Sequence, residues 1–237
     1  MADSGIRKPS ARLESILELI EPCELLGDVG TDHALVLSHA VLRGLAQRGL
    51  GVDVNEEPLR RARQTLERLG VADRIELRLG DGLAGLGSAP VDTLVLAGLG
   101  GETLLGWCRA APERLRGVRR LLVQPNRQLG ELRAWAYGEG HWLLDENIVE
   151  EAGRAFVTCA FALGRGPADP AYAEFEVEPE RLFELGPWLL RRREPLAARY
   201  YEEQRKRLAS LVQGGREDLR SGLEAFEWGR RIAAEGS

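Results

Sequence analysis

The sequence predicts an open, doubly wound α/β sheet carrying a helical tail, on three observations. Short apolar runs alternate with helical patterns from about residue 10 to residue 163. The alternation closes on two strand patterns joined by a tight turn. Past a stretch rich in Gly and Pro at 164–172, the pattern becomes that of two amphipathic helices.

In chain order, Ser10 is placed to cap a helix through Ile20 that carries Leu13, Ile16, Leu17 and Ile20 on one face. Leu25 to Gly30 has the form of a buried parallel strand, and residues 33–46 follow as a helix. Gly49 to Val54 is the second strand. Asn55 is placed to cap the next helix, which has Pro58 in its first turn and runs to Leu69. Strands are expected at 74–79, 91–97 and 121–123. A helix leads to Gly140, then strands at about 142–149 and 155–162 flank the turn Glu151-Ala152-Gly153-Arg154. In the tail, 187–212 and 216–234 read as one antiparallel helical hairpin. Leu196, Tyr200, Leu208, Leu211 and Val212 would face Leu219, Leu223 and Phe226.

A length of 237 residues fits one catalytic-sized domain (1–163), a linker (164–172) and a helical domain (173–237). Hydrophobic content of 44% and charged content of 29% are those of a soluble globular protein. Cys23, Cys108 and Cys159 are far apart with no CxxC pair, and there are 3 histidines, which argues against a disulfide framework or a metal site. Met1–Arg12 is polar and basic with no apolar core, so no signal peptide is expected. No apolar run reaches the ~20 residues a bilayer requires. A soluble, cytoplasmic protein is expected. The net charge of −5 excludes a protein basic overall but leaves room for local basic patches.

Chemistry concentrates in the loops after the strands. Gly27-Asp28-Val29-Gly30-Thr31-Asp32-His33 opens the first helix without the second and third glycines of a pyrophosphate-binding GxGxxG, so a NAD-dependent dehydrogenase is disfavoured. Its acidic residues suit a cationic amino-acid group, although an ordinary glycine turn would look much the same. Asp53, followed by Val54, ends the second strand, where a carboxylate accepts hydrogen bonds from both ribose hydroxyls. Gly80-Asp81-Gly82 follows the third; Asp81 there can accept from an exocyclic amine while Gly82 leaves room for a flat base. Three such turns on consecutive strands outline a nucleoside site. Ala97-Gly98-Leu99-Gly100-Gly101 is an open loop after the fourth strand. The Asp/Asn-Pro-Pro-Tyr tetrapeptide of amino-methyltransferases is absent there. Gln124-Pro125-Asn126, after the fifth, presents two amides that suit a nucleobase edge.

Together with Ser10-Ala-Arg12-Leu13, Leu132-Arg133-Ala-Trp135, Glu150-Glu151-Ala-Gly153 and Leu185-Gly186-Pro187-Trp188-Leu189, these motifs resemble the bacterial tRNA (adenine-22-N1)-methyltransferase family over nearly the whole chain. The resemblance implies a Rossmann-like class I methyltransferase sheet, mostly parallel with a C-terminal antiparallel hairpin, plus a C-terminal helical hairpin that holds tRNA. It implies S-adenosyl-L-methionine as cofactor and N1 of a tRNA adenine as acceptor. Carried over by position, Asp28, Gly30, Thr31 and Asp32 would line the methionine part, Asp53 and Val54 the ribose, and Asp81 with Gly82 the adenine. Ala97 and Gly98 would border the cofactor, and Gly98, Gly100 and Gly101 the target base. Asp32, His33, Gln124 and Asn126 are the expected catalytic residues. The chain departs from the family pattern at Leu35, aromatic in relatives, and at Leu99, usually methionine.

Arg191, Arg192, Arg193, Arg199, Arg205, Lys206 and Arg207 supply cations for an RNA backbone, although residues 176–237 hold twelve basic and twelve acidic side chains. Two other readings stay open: a class I methyltransferase acting on a small molecule or protein, and a non-catalytic RNA-binding protein that keeps the cofactor pocket.

Overall fold

A computed structural model describes residues 8–234; Met1–Arg7 and Glu235–Ser237, including part of the basic N-terminal stretch, lie outside the described residues. The strands are β1 (Cys23–Val29), β2 (Ala46–Asp53), β3 (Ile75–Leu79), β4 (Thr93–Ala97), β5 (Arg120–Gln124), β6 (Trp142–Glu151) and β7 (Arg154–Ala162). They form one sheet in the order β3-β2-β1-β4-β5-β7-β6. The first five are parallel; β7 runs antiparallel to both β5 and β6. Ala152 and Gly153, at φ 51° and 73°, turn β6 into β7, the positive-φ pair that a two-residue hairpin needs.

Side chains alternate between the two faces of the buried strands. Leu94 and Leu96 of β4, with Leu121 and Val123 of β5, join the core on one face. Val95 and Leu122 join the other. On that second face lie α1 (Ala11–Leu17), α2 (Leu35–Leu42) and α3 (Glu56–Leu69). Helix α1 begins where Ser10 predicts, the hydroxyl accepting from Leu13 N at 3.4 Å. Helix α3 begins after Asn55, but the Asn55 side chain makes no capping bond; its N–H instead donates to Asp53 Oδ1 at 2.9 Å. Helix α2 is shorter than the expected 33–46. Asp32 and Ala34 take positive φ before it, and Gly44, at φ 73°, ends the turn that leads to β2.

The first face is covered by α4 (Gly101–Ala110), α5 (Leu129–Gly138) and the whole tail. The expected linker is ordered. Buried Asp169 accepts from Leu143 N at 2.8 Å and from Ala171 N at 2.9 Å, starting α6 (Pro170–Ala173). Then come α7 (Pro179–Leu185), which the sequence reading missed, α8 (Pro187–Arg192), α9 (Pro195–Gln213) and α10 (Arg220–Ala234). The expected helix 187–212 is therefore two. Pro195 disfavours a helical residue before it, and Arg193 turns left-handed at φ 51°. Helices α9 and α10 do pair, with Tyr200 and Tyr201 both 6.1 Å from the Phe226 ring. Leu211, expected in the seam, is 38% exposed.

A buried ion pair ties the tail to the sheet. Arg133 of α5 donates from Nε to Glu146 Oε1 at 2.7 Å, and both side chains are wholly buried. Arg133 Nη1 also reaches the Phe183 carbonyl at 2.7 Å, and Glu146 Oε2 accepts from Trp188 N at 3.1 Å. Gly186 has no room for a Cβ, which would stand 2.6 Å from Arg133 Nη2 and 2.7 Å from Glu146 Oε2.

Candidate active site

Strand order reverses between β1 and β4, and a doubly wound sheet opens a crevice at that point, beyond the carboxyl ends of its strands. A cleft of about 530 Å³ lies there; Arg12, Asp28, Gly30, Asp32, His33 and Gly98 are among its lining residues.

Asp28 is the penultimate residue of β1. The loop after it is drawn onto β2, where Gly30 N and Thr31 N both donate to the Val52 carbonyl, at 2.8 and 3.1 Å. Gly30, Asp32 and Ala34 have φ of 83°, 41° and 53°. Left-handed non-glycine residues are held only where surrounding contacts fix them, at about 1–3 kcal/mol each, so two in three positions mark a loop shaped for a purpose. Asp28 is 5% exposed and has no basic partner among the described residues. Its one side-chain bond is from Thr31 Oγ1, at 2.8 Å to Oδ2. Burial pushes its carboxyl up to about 6, against the Thr31 hydrogen bond and with help from the Asp53 charge. Thr31, an expected cofactor residue, thus holds Asp28.

Asp32 is exposed and His33 half-buried on the cleft wall. Asp32 accepts from Arg61 Nη2 at 3.2 Å, and His33 Nε2 stands 3.6 Å from its other oxygen, too far for a hydrogen bond. Asp53 stands half-buried at the end of β2, its Oδ1 taken by Asn55 N. Val54 and Leu79, 60% and 55% exposed, give the ends of β2 and β3 an apolar edge. Asp81 is exposed and has no partner among the described residues. Gly82 does not have the role its spacing suggests. Its φ is 50°, and a Cβ there would lie 2.4 Å from the Trp107 ring of α4, so the space it leaves is filled by Trp107.

The two loops that follow β4 and β5 lock together. Asn126 N donates to the Leu99 carbonyl at 2.8 Å, and Gly101 N to the Arg127 carbonyl at 3.1 Å. A Cβ at Gly101 would sit 2.7 Å from the Gln128 carbonyl, so this glycine permits loop-on-loop packing. Gly100 lies against Arg127, while Gly98, at φ 82°, faces open space. Leu99 packs beside Gly30, and Leu35 is 42% exposed at the rim.

Gln124 departs from its expected role at a base edge. It is buried, and both ends of its amide are engaged: Oε1 accepts from Arg12 Nε at 2.9 Å, while Nε2 bonds the Arg12 carbonyl, Ser15 Oγ and Thr158 Oγ1 at 2.8–3.1 Å. It has no donor left for a substrate and serves to orient Arg12. Asn126 remains exposed, its amide donating to the Gly98 carbonyl and its Oδ1 accepting from Arg12 Nη2 at 3.3 Å. Arg12 is the residue the sequence reading left without a role. Its guanidinium lies 4.0 Å over the Phe156 ring and lines the cleft. Nothing local marks it, because its partners are 112, 114 and 144 positions away.

The tail cations are not a free stripe. Arg191 pairs with Glu174 at 2.7 Å and stacks on Trp188; Arg192 pairs with Asp145; Arg199 pairs with Glu150 at 2.9 Å. Arg205 and Lys206 share Glu202, at 2.9 and 3.5 Å. Arg193 and Arg207 have no ion-pair partner among the described residues. A second groove, of about 590 Å³, runs from the Asn126 loop to α9 and α10. Arg207, Arg127 and Arg154 line it, the last two likewise without ion pairs among the described residues.

Asp28, Asp53 and Asp81 thus stand at the tips of adjacent strands with no cation paired to them among the described residues. Such a row repels a phosphate and fits a ligand offering an ammonium, ribose hydroxyls and an exocyclic amine. S-adenosyl-L-methionine offers all three. A family model described as "Methyltransferase domain" matches residues 9–158. The tRNA (adenine(22)-N(1))-methyltransferase of Bacillus subtilis (strain 168) is 30% identical over 207 residues, 87% of this chain and 85% of that one. The crystal structure of the B. subtilis M1A22 tRNA methyltransferase TrmK matches with a TM-score of 0.80 at 26% identity, covering 96% of this chain and 98% of that one. A Streptococcus pneumoniae structure in complex with S-adenosyl-L-methionine matches with a TM-score of 0.81 at 26% identity, covering 93% and 99%.

Proposed function

The chain belongs to the tRNA (adenine(22)-N(1))-methyltransferase family, within the methyltransferase-domain fold, and we propose that it methylates N1 of adenine 22 in tRNA with S-adenosyl-L-methionine as donor. The observation that carries the reading is the uncompensated carboxylate of Asp28 on the floor of the switch-point cleft, in line with Asp53 and Asp81.

In this reading Asp28 holds the ammonium of the cofactor, Asp53 its ribose and Asp81 its adenine, with Val54 and Leu79 against the base. Bound there, the cofactor supplies an electrophilic methyl group on sulfur. Adenine N1 carries an in-plane lone pair, so the site requires no general base. The chain must align the acceptor and stabilise the positive charge the base gains. Asn126 and Asp32 border the place where that base would lie, and the hydrogen bond from Arg61 Nη2 holds the Asp32 carboxylate to the wall. N1 lies on the Watson–Crick edge, so the adenine must be unpaired or turned out first. Arg127, Arg154 and Arg207 would meet RNA phosphates beside it, because no carboxylate among the described residues pairs with them. Among the described residues no helix is long and apolar enough to cross a membrane. We place the activity in the cytoplasm, a reducing compartment consistent with three free, buried cysteines.

Incubation with unmodified tRNA and methyl-labelled S-adenosyl-L-methionine, followed by mapping of the modified base, tests this. Label at N1 of adenine 22 is expected. Label on protein or at another base would overturn it.

A further inference from the structure

We propose that the cavity between the C-terminal ends of α4 and α5 binds a nucleotide, its base stacked on Trp135 and its phosphate held by Arg109 and Arg116. The site is separate from the catalytic cleft. It lies at the opposite end of the sheet, where β5 and β6 begin and β7 ends, so the length of β5, about 17 Å, stands between the two. Its volume is about 540 Å³, within the range of small-molecule sites. Trp135 belongs to the Leu132-Arg133-Ala-Trp135 motif, and methyl transfer gives it no task.

The floor of the cavity is apolar, formed by Cys108, Leu115, Val118 and Leu163, while its rim carries charge and N–H donors. Arg109 follows Cys108 on α4, and Arg116 follows the short helix Pro112–Leu115. Both are exposed, and neither guanidinium has an ion-pair or hydrogen-bond partner among the described residues. Glu113, close by in the chain, is taken by Arg114 at 3.5 Å. The Cys108 thiol does not compensate Arg109: burial pushes it up to about 12, against the arginine's charge, so it stays neutral. Gly164 N donates to His141 Nδ1 at 3.2 Å, which puts the proton of the neutral ring on Nε2. Burial holds His141 below its usual range against the pull of Glu139, so the ring is neutral at pH 7. That ring stands edge-on to Trp135 at 5.2 Å, and the indole Nε1 donates to no acceptor among the described residues. Glu139, one helical turn after Trp135, is the acidic residue of the lining. Side-chain donors thus outnumber carboxylates around an apolar floor, which suits a flat ring bearing an anion. Guanidinium forks match a phosphate, and an indole face stacks any base. Glu139 and the last carbonyls of the two helices can accept from the base's N–H groups.

Calorimetric titration with 5′-adenylate, adenosine and ribose 5-phosphate tests this, with saturating S-adenosyl-L-homocysteine present to fill the catalytic cleft. Wild type should bind 5′-adenylate at least about tenfold more tightly than either fragment. Arg109→Gln combined with Arg116→Gln should weaken 5′-adenylate by about tenfold or more. Both positions are exposed, so thermal unfolding and S-adenosyl-L-homocysteine affinity should keep their wild-type values. Trp135→Leu should weaken 5′-adenylate and adenosine by about fivefold or more and leave ribose 5-phosphate unchanged. Displacement of bound 5′-adenylate by single-stranded RNA would make the occupant an RNA nucleotide, and its absence a free one; either result supports the site. A wild-type protein that does not bind 5′-adenylate overturns the proposal, as does an affinity that the double arginine variant leaves unchanged. Neither result bears on the cofactor reading, which the binding of S-adenosyl-L-homocysteine reports separately.

Discussion

Asp28 owes its properties to one residue's surroundings. Its folded value of about 6 lies above the ordinary 3.8, so between these values the folded chain holds a proton that the unfolded chain releases. Stability therefore falls as pH rises through that window. Cofactor affinity should move the other way, rising as pH passes about 6, because only the ionised carboxylate attracts an ammonium. Asp28→Asn should lose this pH dependence and bind S-adenosyl-L-methionine at least about tenfold more weakly, while matching or exceeding wild-type stability at pH 7. Titration calorimetry at pH 5 to 8 and urea denaturation check both. The other strand-end residues separate by role. Asp81→Ala should weaken cofactor binding, whereas Asn126→Ala should mainly lower kcat, since Asn126 borders the acceptor; equal cofactor affinity in wild type and Asp81→Ala would remove the adenine assignment.

At the scale of elements, the loop after β3 depends on α4. Gly82 was legible as a glycine that some close neighbour required, but the neighbour is Trp107 and not a base. Gly82→Ala meets both a left-handed φ and an indole ring, and should destabilise the fold by about 1–3 kcal/mol while weakening cofactor binding through displacement of Asp81. Adding Trp107→Leu should recover part of the loss; strict additivity of the two changes in a denaturation series would show that they do not touch. The break between α8 and α9 belongs to this scale as well. Pro195 was visible, yet the apolar periodicity on either side of it masked the interruption.

For the whole molecule, the tail is not an appendage hinged on a linker. Leu182, Leu185, Leu189, Ala197 and Tyr201 share one core with Leu132 and Leu143 of the sheet domain. Glu146→Gln would leave the buried Arg133 guanidinium uncompensated, and a loss of about 3–5 kcal/mol is expected in a single cooperative unfolding transition. Separate transitions for the two halves would contradict the shared core. Net charge says little about RNA binding here, because most tail cations are neutralised locally. Alanine at Arg127, Arg154 and Arg207 should weaken tRNA binding and lower its salt slope by about one for each RNA phosphate left without a cation, whereas Arg191→Ala and Arg199→Ala should do so less.

The strands, the doubly wound class of their sheet and the acidic residues at their tips were readable from the chain alone, because buried strands and strand-end turns are written in contiguous residues. The family likeness rested on those same local motifs. Tertiary structure alone decided what lies between distant segments. It placed Arg12 against Gln124 and Asn126, Trp107 over Gly82, carboxylates beside the tail arginines and α7 under α5. Most of these pairings join segments far apart in the chain; they are set by packing, and no local propensity or periodicity carries them.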